Sequence, residues 1–168
     1  MLKLLASGIL AGLLCGTALA QLGSSPGQGR SYVEFEPLNT VFLKQGENTR
    51  VNFTFRVKSG YHIISSRPST PELVGTGLGF SPPPDLAIAK VQYPGGQLIS
   101  FPFDPTQKLN VYSGDIVIKA VIITQRNAPA GSYTIRGELK YQACDNSACY
   151  PPRKLPVEFD VKVNKTAN

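Results

Sequence analysis

Hydrophobic and polar residues alternate with a period of two along several segments, a pattern typical of strands with one buried face. The alternation is clearest over residues 49–57, where Val51 and Phe53 are separated by a polar residue. It recurs over residues 132–144 and 155–163. We expect these last two segments to pair as an antiparallel hairpin.

Three further segments have strand character, namely residues 60–65, 86–93 and 115–124. The third is apolar on both faces apart from Lys119, which predicts a central strand covered on both sides. Residues 67–85 contain five prolines and three glycines, so we expect a loop there. No segment shows the periodicity of an amphipathic helix.

About seven strands separated by turn residues, with no helix, are typical of a β-sandwich. The sequence therefore predicts an all-β fold, an immunoglobulin-like two-sheet antiparallel sandwich, in one domain over residues 31–164. Cys144 and Cys149 are only five positions apart. They therefore cannot form the long-range bond between sheets that antibody domains contain. Both lie at one end of the predicted hairpin.

The N-terminus has the features of an export signal. Lys3 is followed by an apolar run and then by small residues up to Ala20, which predicts a cleaved signal peptide over residues 1–20. Cys15 raises the alternative of a lipoprotein. That alternative is the weaker one, because bulky Leu14 precedes the cysteine where lipoprotein processing prefers a small residue.

Residues 21–30 are rich in Gly, Ser and Gln and predict a flexible leader, and residues 165–168 form a short tail. The apolar run of the signal is shorter than the roughly 20 residues that a membrane helix needs, and no later run is longer. We therefore expect a periplasmic protein without stable membrane insertion. The net charge is +6, but the basic residues are scattered along the strands, so we expect no nucleic-acid partner.

Cys144 and Cys149 carry the most reactive side chains of the predicted mature chain. Residues 145–147, Asp-Asn-Ser, favour a tight reversal that could bring the two sulfurs together as a disulfide. As a static bond closing a loop of about six residues, it would contribute only about 2 kcal/mol. Sulfurs at a strand end are accessible to a partner thiol, which favours exchange chemistry.

Two other cysteine chemistries fit the residues less well. Zinc needs more ligands than two cysteines and His62 provide, so we predict no metal and no cofactor. A cysteine nucleophile with His62 as its base fits the residue types, but a second cysteine nearby would oxidise such a thiol in an exported protein. We expect His62 to be a surface residue of its strand.

Two short segments carry a family resemblance. Residues 137–144, Gly-Glu-Leu-Lys-Tyr-Gln-Ala-Cys, followed by residues 149–152, Cys-Tyr-Pro-Pro, resemble the N-terminal periplasmic domain of the thiol:disulfide interchange protein DsbD. In that family the cysteines lie in a Tyr-Gln-x-Cys and a Cys-x-Pro-Pro element of an immunoglobulin-like sandwich. Weaker similarities lie at residues 60–63, 93–94 and 112–114.

The resemblance implies that Cys144 and Cys149 are a redox pair, with Cys149 as the cysteine that forms the mixed disulfide. A membrane thiol reductase or a thioredoxin-like protein would donate electrons, and disulfides of exported proteins would accept them. Because the chain ends at Asn168 without the membrane-spanning and thioredoxin-like domains of longer relatives, we expect the reductant to act in trans. Any thiol:disulfide interchange activity would depend on that external reductant.

The family also has an aromatic residue in a loop that caps the cysteines. The corresponding candidate here is Phe103, in the connecting segment 101–105. Tyr141, Gln142 and Tyr150 complete the predicted set of site-lining residues, although Tyr141 and Gln142 could equally pack as ordinary strand residues. A second function remains open, in which the chain is a non-catalytic protein-binding sandwich with a structural disulfide.

Overall fold

A computed structural model describes residues 31–165 of the chain. This part of the chain consists of strands, turns and irregular segments, without a helix. The strands are β1 (Val33–Phe35), β2 (Val41–Lys44), β3 (Asn48–Val57), β4 (His62–Ile64), β5 (Gly77–Ser81), β6 (Leu86–Gln92), β7 (Gln97–Phe101), β8 (Asp104–Tyr112), β9 (Asp115–Thr124), β10 (Gly131–Tyr141), β11 (Ala143–Cys144) and β12 (Arg153–Asn164). The predicted signal peptide, the leader, Cys15 and residues 166–168 of the predicted tail lie outside the described residues.

Two four-stranded sheets enclose the main core. One has the order β1-β3-β9-β6 and the other the order β2-β12-β10-β5. Buried side chains from both sheets form one continuous cluster. Within it the rings of Phe53 on β3 and Phe159 on β12 meet edge to face, with their centroids 5.2 Å apart. The alternating residues of these strands therefore bury one face of each sheet against the other.

A third four-stranded sheet, with the order β11-β4-β8-β7, positions the cysteines. It has a small core of its own, which consists of Ile64, Phe101, Leu109, Val111 and Cys144. The chain enters this sheet directly from β10, because it crosses from the second sheet to the third between Tyr141 and Ala143. The cysteines thus lie beside the sandwich core, in a separate apolar cluster.

The all-β, immunoglobulin-like sandwich predicted from the sequence is confirmed. So is the antiparallel pairing of β10 with β12, in which Leu139 lies opposite Leu155 and Tyr141 lies opposite Arg153. The third sheet adds to the two that the sequence predicts. The pairing of β2 with β12 is parallel, whereas the sequence predicts only antiparallel neighbours.

Several strand predictions need correction. The predicted loop of residues 67–85 contains β5, which pairs with β10. The glycines of β5 weaken the strand signal, and Gly137 on β10 allows the two strands to approach closely, because a Cβ there would clash with the backbone oxygen of Gly79. The predicted connection at residues 101–105 is instead the tight end of the β7–β8 hairpin. Prolines on either side of Phe103 obscure that hairpin in the sequence. The short strands β1 and β2 were also missed.

β9 is a central strand as predicted, lying between β3 and β6, but it is not covered on both sides. Val117 and Ile123 are exposed on its outer face, at 38% and 37% of their surface. The predicted strand of residues 132–144 is also interrupted, at Gln142, because the chain changes sheets there. Within the described residues no helix is long and apolar enough to cross a membrane.

Candidate functional site

The two cysteines form a disulfide across a tight hairpin that follows β11. Cys144 and Cys149 face each other as an isolated antiparallel bridge. The N–H of Asp145 donates to the carbonyl of Ala148 at 2.9 Å, and the N–H of Tyr150 donates to the carbonyl of Ala143 at 2.8 Å. The reversal predicted from the Asp-Asn-Ser sequence is therefore present, and its backbone brings the two cysteines together.

The side chain of Asp145 closes the turn a second time. Its carboxylate accepts the N–H of Ser147 at 2.7 Å and that of Ala148 at 3.1 Å. It also accepts the hydroxyl of Tyr150 at 2.5 Å. The Tyr150 hydroxyl is the main reason why the pKa of Asp145 lies below its ordinary value, and the same bond raises the pKa of Tyr150 to about 12. The hairpin thus has polar bonds that do not depend on the disulfide.

The two sulfur-bearing residues differ in exposure. Cys144 is fully buried, in the apolar cluster of the third sheet. Cys149 packs at the edge of that cluster and remains partly exposed. Thiol-disulfide exchange requires a thiolate to reach one sulfur of the bond. Exposed surface for such an approach remains on Cys149 and not on Cys144.

A groove of about 310 Å³ lies against the exposed cysteine. Leu73, Phe101, Phe103 and Leu109 supply apolar walls, and Cys149 is among its lining residues. The groove lies between the loop that precedes β5 and the tip of the β7–β8 hairpin. It could hold an extended segment of another protein beside the sulfur of Cys149.

A comparison with protein-family models matches residues 32–160 to the family described as thiol:disulfide interchange protein DsbD, N-terminal. The match covers most of the chain and includes both cysteines. The chain belongs to the DsbD N-terminal family. No curated protein sequence matches it.

Solved structures of DsbD-type domains are among those similar to the chain. The reduced N-terminal domain of DsbD from Neisseria meningitidis is 20% identical, with a TM-score of 0.38; the match covers 66% of this chain and 74% of that one. The N-terminal periplasmic domain of ScsB from Proteus mirabilis is 10% identical, with a TM-score of 0.49; the match covers 71% of this chain and 43% of that one.

Phe103, the residue that the DsbD resemblance suggests as a cap, lies at the groove beside Cys149. It lies in the two-residue turn between β7 and β8, is 40% exposed, and lines the same groove as Cys149. Its ring stacks on that of Phe101, with the centroids 5.3 Å apart. Phe101 is 2% exposed and belongs to the apolar cluster around Cys144. Phe101 thus anchors the turn, and Phe103 forms its outer surface.

Tyr141 and Gln142 have structural contacts in this DsbD-type domain. Tyr141 is 2% exposed in the main core, and its hydroxyl accepts the N–H of Tyr32, which agrees with strand packing, one of the two alternatives open for it. The side-chain oxygen of Gln142 accepts the N–H of Val74 at 2.7 Å, and its backbone carbonyl accepts the N–H of Ile64 at 2.9 Å. Gln142 therefore holds the loop that forms one wall of the groove.

Tyr150 supports the disulfide hairpin from the opposite face. Its ring stacks on Tyr32 with the centroids 5.1 Å apart, and Tyr61 lies 6.3 Å away. Successive residues of an extended chain point to opposite faces. Tyr150 therefore contacts the main core while its neighbour Cys149 contacts the small one. Tyr150 is not among the residues that line the groove, and its role at the site stays a prediction.

Sequence reasoning missed the location of His62. This residue is partly buried and lies opposite Cys144 in the pairing of β11 with β4, whereas the sequence predicted a surface position. No local pattern reveals this pairing, because the two strands are far apart in the chain. Among residues 31–165, no group of three or more His, Cys, Asp or Glu side chains could hold a metal ion.

Proposed function

We propose that this protein is a periplasmic thiol-disulfide exchange domain that relays electrons to exported acceptor proteins through Cys144 and Cys149. Membership of the DsbD N-terminal family supports the chemistry. The observation that carries the proposal is the difference in exposure between the two cysteines, because it gives each sulfur a separate role. Cys149 meets the partner, and the buried Cys144 completes the exchange.

Reduction begins when a donor thiolate attacks the sulfur of Cys149. The bond between Cys149 and Cys144 breaks, its electron pair passes to Cys144, and the donor and Cys149 form a mixed disulfide. A second thiol of the donor then attacks the donor sulfur of that bond and displaces Cys149. The donor leaves as a disulfide, and this domain holds two thiols.

Delivery of the electrons reverses these steps on an acceptor. The Cys149 thiolate attacks an acceptor disulfide and forms a mixed disulfide, and one acceptor sulfur leaves as a thiolate. Cys144 then attacks Cys149, which restores the intramolecular bond and releases the second acceptor thiol. A membrane thiol reductase or a thioredoxin-like protein fits the role of donor, since it must present a pair of thiols. The groove beside Cys149 would hold the segment around the partner cysteine.

The proposal is tested with purified protein that lacks residues 1–20, under native conditions. A mild dithiol should reduce the disulfide without denaturant. The Cys144→Ala variant should form a stable mixed disulfide with glutathione when treated with glutathione disulfide, measured by intact mass. The matched Cys149→Ala variant, whose remaining sulfur is buried, should react far more slowly.

A disulfide that resists the dithiol until the protein is unfolded would contradict the proposal. The bond would then be the static one of the alternative function, a non-catalytic protein-binding sandwich. A structural disulfide would add little to the hairpin, because backbone hydrogen bonds and the Asp145 carboxylate already close the turn. Equal glutathione capture by both single-cysteine variants would also contradict the separate roles of the two sulfurs.

A further inference from the structure

The one histidine of the chain lies next to the buried cysteine. His62 on β4 is the direct register partner of Cys144 on β11. Residues directly opposite each other in an antiparallel pair place their side chains on the same face, with Cβ atoms about 4.5–5.5 Å apart. The imidazole also meets the ring of Phe101 edge to face, with centroids 5.3 Å apart. Phe101 packs in the same cluster as Cys144.

The orientation of this imidazole is fixed by one hydrogen bond. Nδ1 of His62 lies 2.6 Å from the hydroxyl oxygen of Ser113, in the turn between β8 and β9. When Nδ1–H donates to Ser113, Nε2 is left as a proton acceptor. Burial lowers the pKa of His62, so the ring is neutral at neutral pH and able to accept a proton.

Cys144 needs a nearby group that can accept and return its thiol proton. It is fully buried among apolar side chains, which disfavours its thiolate. The exchange nevertheless requires Cys144 to lose its proton when it attacks Cys149 and to regain one when it is displaced. Solvent does not reach this sulfur in the structure.

Other titratable groups near His62 are already engaged. The hydroxyl of Tyr112 on β8 bonds to Ser66 and to the carbonyl of Pro94. Asp115, at the start of β9, is held by Arg56. The groups that contact His62 directly, Phe101 from β7 and Ser113, do not titrate near neutral pH. Among these described groups, His62 is the one that can accept the proton of Cys144 near neutral pH.

We propose that His62 transfers the proton to and from Cys144 during exchange, an inference that rests on the proposed function. As Cys144 attacks Cys149, the thiol proton passes to Nε2 of His62, the new sulfur–sulfur bond forms, and the partner sulfur leaves with the electron pair of the mixed disulfide. The imidazolium then releases its proton to solvent. In the reverse direction it protonates Cys144 as the disulfide opens.

The test separates the two steps of oxidation. Reduced protein is mixed with an excess of bis(thionitrobenzoate), an aromatic disulfide whose thiolate product is coloured. Attack by Cys149 releases the first thionitrobenzoate, and attack by Cys144 on the mixed disulfide releases the second. His62→Gln should slow the second release about 100-fold at neutral pH, at the low end of the effect of positioned proton-transfer groups, and leave the first within about twofold.

The pH profile adds a readout that packing alone would not change. In the parent protein the second release should slow as His62 becomes protonated, below the ordinary histidine range, and His62→Gln should lack this dependence. His62→Phe keeps an aromatic ring against Phe101 without a proton acceptor, so it should be as slow as His62→Gln. Either variant suffices for the test if the other does not fold, as judged by circular dichroism.

The outcomes distinguish this inference from the proposed function. A second release in both variants within about twofold of the parent rate, or full recovery in His62→Phe, would overturn the role of His62 and leave the exchange function intact. A parent protein whose native disulfide cannot be reduced, or whose thiols release no thionitrobenzoate, would reject the exchange function itself.

Discussion

Phe103 offers the sharpest test of how the site controls access. The side chain is 40% exposed, so about three-fifths of its surface is buried, in part by stacking on the ring of Phe101. Full burial of a phenylalanine contributes about 1.5–3 kcal/mol, so Phe103→Ala should lower the free energy of unfolding by about 1–2 kcal/mol. If the Phe103 ring must move aside before a thiol can approach Cys149, the free energy lost when its packing is broken adds to the activation barrier of reduction. Removing the ring should speed native reduction about 5- to 30-fold.

The assay follows loss of the disulfide in excess dithiothreitol, with samples quenched by alkylation and counted by mass. Leu98→Ala is the matched control, because Leu98 is a large apolar residue of β7 that is 66% exposed and does not line the groove. Its rate should equal that of the parent. A Phe103→Ala protein that loses the expected stability but is reduced at the parent rate would refute the shielding role and leave Phe103 as an anchor of the turn.

Three further predictions test the surroundings of the disulfide. Replacing Cys144 and Cys149 by alanine should lower the free energy of unfolding in denaturant by about 2 kcal/mol, the loop-closure contribution; twice that loss would favour a structural role. Gln142→Ala should leave the N–H of Val74 without its partner, cost about 1–3 kcal/mol, and speed amide exchange at that N–H. Tyr150→Phe should remove the phenol that titrates at about 12 in ultraviolet absorbance. Folding raises the pKa of Tyr150 to about 12 through its hydrogen bond to Asp145. The stability that this bond gives the fold is therefore fully present below the ordinary tyrosine pKa and is lost as the pH rises through about 12.

The sequence predicts those parts of the fold that depend on local alternation. β3, β9 and β12 have strongly alternating or apolar sequences, and their positions agree with the strands expected there. β5 contains glycine and the β7–β8 hairpin contains proline, and both residue types have a low strand propensity. These segments form strands because a neighbouring strand pairs with them. The partner of β5 lies far away in the chain, so no local pattern reveals it. The β7–β8 hairpin is local, and it is the prolines around its turn that hide it in the sequence.

The candidate site also has parts that a local sequence pattern predicts and parts that depend on tertiary contacts. The cysteine pair and the turn between them are readable from a short segment, because the reversal is local. His62 and the groove depend on tertiary contacts. His62 reaches Cys144 only through the pairing of β4 with β11, and the wall of the groove near Leu73 is held by a bond from Gln142. The side-chain direction of Tyr150, towards Tyr32 rather than the groove, likewise depends on where the chain changes sheets.

The alternation of side chains in β4 and in the disulfide hairpin explains how one small element can be both rigid and reactive. Tyr61 and Tyr150 point to the main core, where they pack around Tyr32. Their chain neighbours His62 and Cys149 point to the opposite face, which contains the groove. The backbone of the hairpin is therefore held from behind by aromatic packing while the disulfide faces the groove. A substitution behind the hairpin should consequently reduce stability before it changes exchange, whereas one in the groove should change exchange first.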